Sequence, residues 1–98
     1  MAVKILIRRS LPEEADALVQ ELLRELRMLA MKQEGYISGE TLQRVDLPGE
    51  VLVISTWESV EAWEKWFGNP IRRELQAKID RRLGRPTEYA AYRYRSAS

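Results

Sequence analysis

The hydrophobic and polar positions change their spacing several times along the chain, and the most apolar stretch runs from Val51 to Phe67. In residues 51–57, apolar and β-branched side chains occupy both alternating sets, as in a strand with neither face exposed to water. After Ser59, a residue type that suits a helix N-cap, the apolar positions recur at helical spacing. The pattern predicts a buried strand that leads into a short aromatic helix, and this unit holds all three tryptophans of the chain.

The N-terminal third predicts a strand followed by a long helix. Residues 2–9 alternate between two faces, one of them strongly apolar, which is strand periodicity. Ser10 and Glu13 have the spacing of a capping box, which predicts that the helix begins directly after Ser10. An apolar stripe at helical spacing continues to about Gln33, and Gly35 is a residue type that commonly ends a helix.

The segment that follows predicts a β-hairpin. Residues 36–45 are rich in β-forming side chains, with Gly39 as a place for a bulge or for close packing. Turn-forming residues at 46–50 lead into the strand at 51–57, so these two strands should pair in antiparallel orientation.

The C-terminal third predicts a second long helix and a last strand. Asn69 and Pro70 suit the N-cap and the first position of a helix. Gly84 and Pro86 are expected to end it, and residues 87–95 alternate as a strand. The predicted buried stripe of the helix recurs every four residues and consists of Ile71, Leu75, Ile79 and Leu83.

The predicted order is therefore β-α-β-β-α-β. An α+β, ferredoxin-like fold accommodates this order with right-handed crossovers, an antiparallel sheet and the helices on one face of the sheet. We expect a single domain over residues 1–95 and a disordered tail at 96–98. The second face of the sheet would be bare although strand 51–57 is apolar on both sides, so we expect two copies to pair through their sheet faces as a homodimer.

Composition narrows the chemistry that the chain can perform. The net charge is +1 over 98 residues, and acidic and basic residues are interspersed, so we expect no nucleic-acid partner. No apolar run approaches the roughly 20 residues of a membrane span, and we expect a cytoplasmic protein without a membrane partner. The chain has neither cysteine nor histidine, which removes thiolate nucleophiles, the commonest general base and the usual metal and haem ligands. We therefore expect no metal and no cofactor.

The sequence from Ser55 to Ala62, followed by Trp66, resembles the antibiotic biosynthesis monooxygenase family. In that family the third strand ends at a tryptophan that is followed by an acidic residue, a serine and, after two further residues, an alanine. The corresponding residues of this chain are Trp57, Glu58, Ser59 and Ala62. The resemblance implies a dimeric α/β barrel. It also implies cofactor-independent oxygenation of a small hydrophobic aromatic substrate, such as a phenol or a quinol.

The chain departs from the family pattern at two positions. Many members carry a glutamate two residues before the tryptophan and a histidine four residues after the alanine, where this chain has Ser55 and Trp66. The haem-degrading branch has a tryptophan at the position of Trp66, but also an axial histidine where this chain has Gln76. Haem degradation is thus the least favoured function, and a non-catalytic barrel that binds a small hydrophobic metabolite is the main alternative to an oxygenase.

Aromatic side chains are the candidate binding residues. Tryptophan rings could stack on a planar substrate in a cavity between sheet and helices. Tyrosine hydroxyls could orient or deprotonate a phenolic substrate, and the chain offers Tyr36, Tyr89, Tyr92 and Tyr94. The candidates chosen on this basis are Trp57, Trp66, Tyr36 and Tyr92. The competing interpretation is that these rings pack in the core or in the dimer interface. The helical position of Trp63 places it in the core stripe, so we expect Trp66 to border the cavity and Trp63 not to.

The sequence assigns no catalytic residue. Several arginines are candidates to stabilise an oxyanion or enolate, although residues of this type are often solvated or paired with glutamate. These are Arg44, Arg72, Arg73, Arg93 and Arg95.

Overall fold

The computed structural model, described for residues 1–95, consists of a four-stranded antiparallel sheet with three helices on one face. The strands are β1 (Val3–Ser10), β2 (Tyr36–Gln43), β3 (Glu50–Trp57) and β4 (Glu88–Arg93). The helices are α1 (Ala17–Met31), α2 (Val60–Phe67) and α3 (Pro70–Leu83). The sheet order β2-β3-β1-β4 confirms the predicted α+β, ferredoxin-like fold. The tail predicted at 96–98 lies outside the described residues.

The strand register assigns each side chain to one face of the sheet. Ile5 of β1 lies opposite Ser55 of β3, and Ile7 lies opposite Val53, all on the face that carries the helices. This helix-facing side contributes Val3, Ile5, Ile7 and Trp57 to the main core, where they meet apolar residues of all three helices. The side chains of the alternate positions point away from the helices. We call that side the open face, and its apolar residues are Leu6, Leu42, Leu52, Ile54 and Tyr92.

Three of the predicted helix boundaries are present. The Ser59 hydroxyl accepts a hydrogen bond from the Ala62 backbone N–H at 3.1 Å and caps α2. Asn69 caps α3 by accepting from the N–H groups of Ile71 and Arg72. Gly84 ends α3 in the left-handed conformation, with φ +71°, which favours glycine.

The predicted start of α1 is wrong. Ser10 remains in β1, where it pairs with Glu50, and residues 11–16, which follow it, are not helical. The N-cap is Asp16, whose Oδ1 accepts a hydrogen bond from the Val19 N–H at 2.8 Å. The capping-box spacing of Ser10 and Glu13 therefore lies in the strand and the turn that precede the helix.

Gly35, in the turn between α1 and β2, lies against the start of α2. Its φ is +89°, and a Cβ atom built on it would lie 2.5 Å from the Cβ of Ala62. The Gly35 carbonyl accepts a hydrogen bond from the Glu58 N–H at 2.7 Å. Since both the backbone conformation and the close approach require glycine, the turn before β2 is fixed against the start of α2.

No helix within residues 1–95 combines the length and the apolar composition that crossing a bilayer would require.

Candidate functional site

A cavity of about 370 Å³ lies between the helix-facing side of the sheet and the helices. Small-molecule sites typically measure roughly 300–1,000 Å³, so the cavity is large enough for a small ring compound. Its exposed lining residues come from α1 and β2, which places the mouth between these two elements. Its inner walls are formed by buried residues of all three helices, β1 and β3, together with Tyr89 of β4.

The three tryptophans line this one cavity. Trp57, at the end of β3, is fully buried, and its ring contacts Tyr36 edge-on at a centroid distance of 5.4 Å. On its other side it meets Trp63 at 5.8 Å. Trp66 is also buried and lies in the same core cluster. The rings of Trp57 and Trp63 are thus in contact, and we call the three buried tryptophans that line the cavity the tryptophan wall, or aromatic wall.

Ser55 supports this wall. Its hydroxyl accepts a hydrogen bond from Nε1 of Trp57 at 3.1 Å, and both residues are buried. A buried indole N–H needs such an acceptor. Ser55, which occupies the position of a glutamate in many members of the family that the sequence resembles, therefore orients Trp57 in this chain.

Tyr36 lies against Gly39 on the edge strand. The Tyr36 hydroxyl is 2.6 Å from the place that a Cβ atom on Gly39 would occupy. The close packing predicted at Gly39 is therefore present and its partner is Tyr36, while the irregularity of the β2–β3 register lies between Tyr36 and Ser38.

The structure brings three of the four candidate residues together. Trp57, Trp66 and Tyr36 line the cavity, whereas Tyr92 lies on the open face, paired in register with Lys4, and its side chain is 56% exposed. Tyr92 is therefore separated from the cavity by the sheet. The cavity lining does not separate Trp66 from Trp63, because both are buried and both line the cavity, and the expectation that only Trp66 borders a ligand stays a prediction.

Arg72 is buried near the start of α3, beside the aromatic wall. Its Nη1 donates to the Phe67 carbonyl at 3.0 Å, and its Nη2 donates to the Tyr89 hydroxyl at 2.6 Å. The guanidinium lies over the Phe67 ring, 4.5 Å from its centroid. Burial lowers the pKa of Arg72 from its ordinary value, although the neighbouring Tyr89 opposes the shift.

Tyr89 is a neutral phenol at neutral pH. Burial raises its pKa above the ordinary tyrosine value, and the positive charges of Arg72 and Arg9 offset only part of that effect. The group can therefore donate a hydrogen bond into the cavity but is a poor base for taking a proton from a substrate.

Arg9 is the centre of a polar network at the same end of the cavity. Its Nη1 donates to Oε1 of Gln76 at 3.1 Å and to Oγ1 of Thr87 at 3.0 Å. Gln76 Nε2 and the Thr87 hydroxyl each donate to Oδ1 of Asp80 at 2.8 Å. We call Arg9, Gln76, Asp80 and Thr87 the Arg9 network. It links β1 to α3 and to the residue that precedes β4.

Sequence reasoning missed most of this polar end. The predicted stripe of α3 begins with Ile71, but that side chain is 60% exposed and the buried positions are Arg72, Leu75, Gln76 and Ile79. An apolar pattern cannot find a stripe in which every second position is polar. The usable signal is the spacing of Arg72, Gln76 and Asp80, which are four residues apart and so share one side of a helix.

The residues present do not fit haem or a metal ion. Gln76, at the position of the axial histidine in the haem-degrading branch, is committed to hydrogen bonds with Arg9, Asp80 and Thr87. Within residues 1–95, no cluster of three or more acidic side chains is placed to hold a metal ion.

Comparison with known proteins identifies similar sequences and folds. The family model described as antibiotic biosynthesis monooxygenase matches residues 2–78. No curated protein matches the chain. Similar solved structures include a conserved protein from Methanosarcina mazei, with a TM-score of 0.84 and 18% identity over 97% of this chain and 94% of the other.

Two further structures are similar over nearly their whole length. A mutant of SnoaB, a cofactor-independent oxygenase from Streptomyces nogalater, has a TM-score of 0.80 and 17% identity over 98% of this chain and 95% of its own. Rv0793 from Mycobacterium tuberculosis has a TM-score of 0.80 and 18% identity over 100% and 99%. At these identities the likeness establishes the fold alone.

Proposed function

This chain belongs to the antibiotic biosynthesis monooxygenase family, and from that premise we propose that it catalyses the cofactor-independent oxygenation of a small hydrophobic aromatic compound, a phenol or quinol. The observation that carries the proposal is the convergence of all three tryptophans on one cavity of about 370 Å³. Aromatic rings prefer such walls because stacked and edge-on arrangements add to the gain from burying apolar surface. The similarity to SnoaB, a cofactor-independent oxygenase, supports the same reaction class.

In the proposed reaction the substrate supplies the electrons. Loss of a proton from a ring carbon to water leaves a carbanion, which transfers electrons to O₂, forms a carbon–oxygen bond and takes up a proton to give a hydroperoxide. Loss of the second hydrogen from the same carbon, together with cleavage of the O–O bond, leaves one oxygen atom in the product as a carbonyl, and the other leaves as water. In this proposal the tryptophans hold the ring and exclude bulk water, and the hydroxyls of the lining residues Tyr36 and Tyr89 hydrogen-bond to oxygen atoms on the ring.

Oxygen uptake with a model substrate tests the proposal. Anthrone, whose enol tautomer is a phenol, should be converted to anthraquinone with one O₂ consumed per molecule. With ¹⁸O₂, mass spectrometry should find one labelled oxygen in the product. Tyr92→Phe is a matched control, because its hydroxyl lies on the open face, and the cavity should work as in the unmodified protein. A rate no higher than that of anthrone alone would contradict an oxygenase.

A non-catalytic binding protein is the second candidate, and one observation favours it. Ser55, at the position that is a glutamate in many family members, is bonded to the Trp57 indole, and Glu40 on the edge strand is the single acidic residue among the described lining residues. The cavity thus has no evident carboxylate base. Saturable quenching of tryptophan fluorescence by anthrone, without oxygen uptake, would select this alternative.

We also propose that the chain forms a homodimer through the open face, as in a dimeric α/β barrel. The helices cover only the other side of the sheet. Leu42 and Tyr92 are 46% and 56% exposed, and Leu6, Leu52 and Ile54 lie between them on the same face. A contiguous apolar surface of this kind is typical of a protein interface, since burying it contributes roughly 25 cal/mol per Å².

A further inference from the structure

Two buried arginines at the inner end of the cavity lack carboxylate partners. Arg9 and Arg72 are only 6% and 5% exposed, and both line the cavity. Seven ion pairs are formed within residues 1–95, and neither arginine takes part in any of them. Removing a guanidinium from water costs several kcal/mol unless an opposite charge and full hydrogen bonding offset it. The positive charge at this end of the cavity is therefore incompletely balanced.

Arg9 also has hydrogen-bonding capacity that the described chain leaves unused. Its hydrogen bonds to other residues in this part of the chain all come from Nη1. Its Nε is a buried donor without a partner, and it is the one buried side-chain nitrogen or oxygen within residues 1–95 in that condition. Leaving a charged buried donor unpaired is costly, so such a group indicates that an acceptor is missing from the site.

The neighbouring groups hold the two guanidinium groups in place but do not neutralise them. Gln76 and Thr87 accept from Arg9 through neutral oxygens, and the Tyr89 hydroxyl accepts from Arg72. Asp80 is the carboxylate whose negative charge acts on both arginines, and its Oδ1 already accepts hydrogen bonds from Gln76 and Thr87. One carboxylate thus faces two fixed positive charges, and arginine keeps its proton under physiological conditions.

From this arrangement we infer that Arg9 and Arg72 form an anion subsite, and that the cavity takes an aromatic substrate that carries a carboxylate. The carboxylate binds between the two guanidinium groups, whose planar N–H donors match its geometry. The ring lies against the tryptophan wall, toward the mouth between α1 and β2. This inference rests on the proposed binding of an aromatic ring in the cavity, and it narrows the substrate from a neutral phenol or quinol to an aromatic acid.

A pair of probes that differ only in charge tests the subsite in the unmodified protein. 2-Naphthoate is ionised at pH 7, whereas 2-naphthamide has nearly the same shape and no charge. Binding is followed by quenching of tryptophan fluorescence, because all three tryptophans line the cavity. We expect naphthoate to bind at least about tenfold more tightly than naphthamide, the factor typical of hydrogen bonds to a charged group.

Three variants locate the effect. Arg9→Met and Arg72→Met should each lower the preference for naphthoate about tenfold while naphthamide binding changes little. Arg73→Met is the matched control, because it removes the same charge from an exposed neighbour of Arg72 and should keep the preference. Thermal melts of each variant show whether it is folded, and the comparison of the two probes in the unmodified protein stands without any variant.

The failures of the two proposals are distinguishable. Equal affinity of the unmodified protein for both probes would overturn the anion subsite and leave the aromatic cavity intact. If neither probe binds, both the proposed binding of an aromatic ring in the cavity and the anion subsite are overturned. A preference that survives both Arg9→Met and Arg72→Met, or that is lost in Arg73→Met instead, would overturn the assignment to these two residues.

Discussion

The two faces of the sheet depart from the usual distribution of residues in opposite directions. The helix-facing side buries two arginines beside an aromatic wall, although charged groups are rarely buried without a partner charge. The open face leaves leucine, isoleucine and tyrosine side chains partly or largely exposed. Each arrangement is unfavourable for an isolated molecule. We therefore propose a different partner for each face: an anionic ring compound on the helix-facing side and a second copy of the chain on the open face.

The largest loss of stability is expected from a change on the helix-facing side of the sheet. Ile5 is fully buried in the central strand, and Ile5→Asp would bury an unpaired carboxylate and remove a core side chain. We expect a loss on the order of 4 kcal/mol in the free energy of unfolding. Circular dichroism and urea titration measure it.

The matching change on the open face should have a different outcome. Ile54→Asp should keep the fold of each copy, because the side chain points away from the helices, but should prevent the sheet faces from meeting. Sedimentation equilibrium at micromolar concentration should find dimers of the unmodified protein and of Ile54→Leu, and monomers of 11.4 kDa for Ile54→Asp. An unmodified protein that is monomeric would contradict the proposed interface.

The next effect concerns the aromatic wall. Trp63 and Trp66 are both more than 90% buried, so replacement of either by alanine should cost about 3–5 kcal/mol and should also weaken binding of an aromatic probe. Thermal melts and fluorescence quenching measure the two consequences. Should Trp66→Ala abolish binding at little cost in stability while Trp63→Ala does the reverse, the division of roles expected from helical spacing would be confirmed.

The smallest expected effect is a loss of unfolding free energy at high pH. The folded protein holds the pKa of Tyr89 above its ordinary value, so between that value, about 10, and the folded value the folded state binds more protons than the unfolded state. The contribution of Tyr89 to stability is therefore fully present below about pH 10 and is lost as the pH rises through the folded pKa.

Tyr89→Phe should remove that loss. Urea titrations from pH 8 to 11 should give a smaller decline in unfolding free energy for the variant than for the unmodified protein. Tyr94→Phe is the control, since it removes the hydroxyl of an exposed tyrosine that lies beyond the end of β4. Equal declines in all three proteins would contradict the assignment to Tyr89.

The elements themselves were predictable because their signals are local. Strand alternation, the Ser59 and Asn69 caps and the left-handed Gly84 depend on neighbours within a few residues, and these determined the order of elements and the fold. The start of α1 was not predictable in this way. A capping box at Ser10 competes with sheet pairing to Glu50, which is forty residues away in the sequence.

The candidate site was only partly predictable, for two physical reasons. Tyr89 and Tyr92 are three residues apart in a strand and so point to opposite faces, and only the register of β4 against β1 decides which of them meets the helices. Buried polar residues give no apolar signal, so the partnership of Arg9 with Gln76 and Thr87 becomes visible only when β1, α3 and the start of β4 are brought together.

The contact between Gly35 and Ala62 has a consequence for how a ligand enters. The turn after α1 is fixed against the start of α2, both by the missing side chain and by the hydrogen bond from Glu58 to the Gly35 carbonyl. We therefore expect the turn before β2 to keep its position against α2 when a ring compound enters through the mouth between α1 and β2.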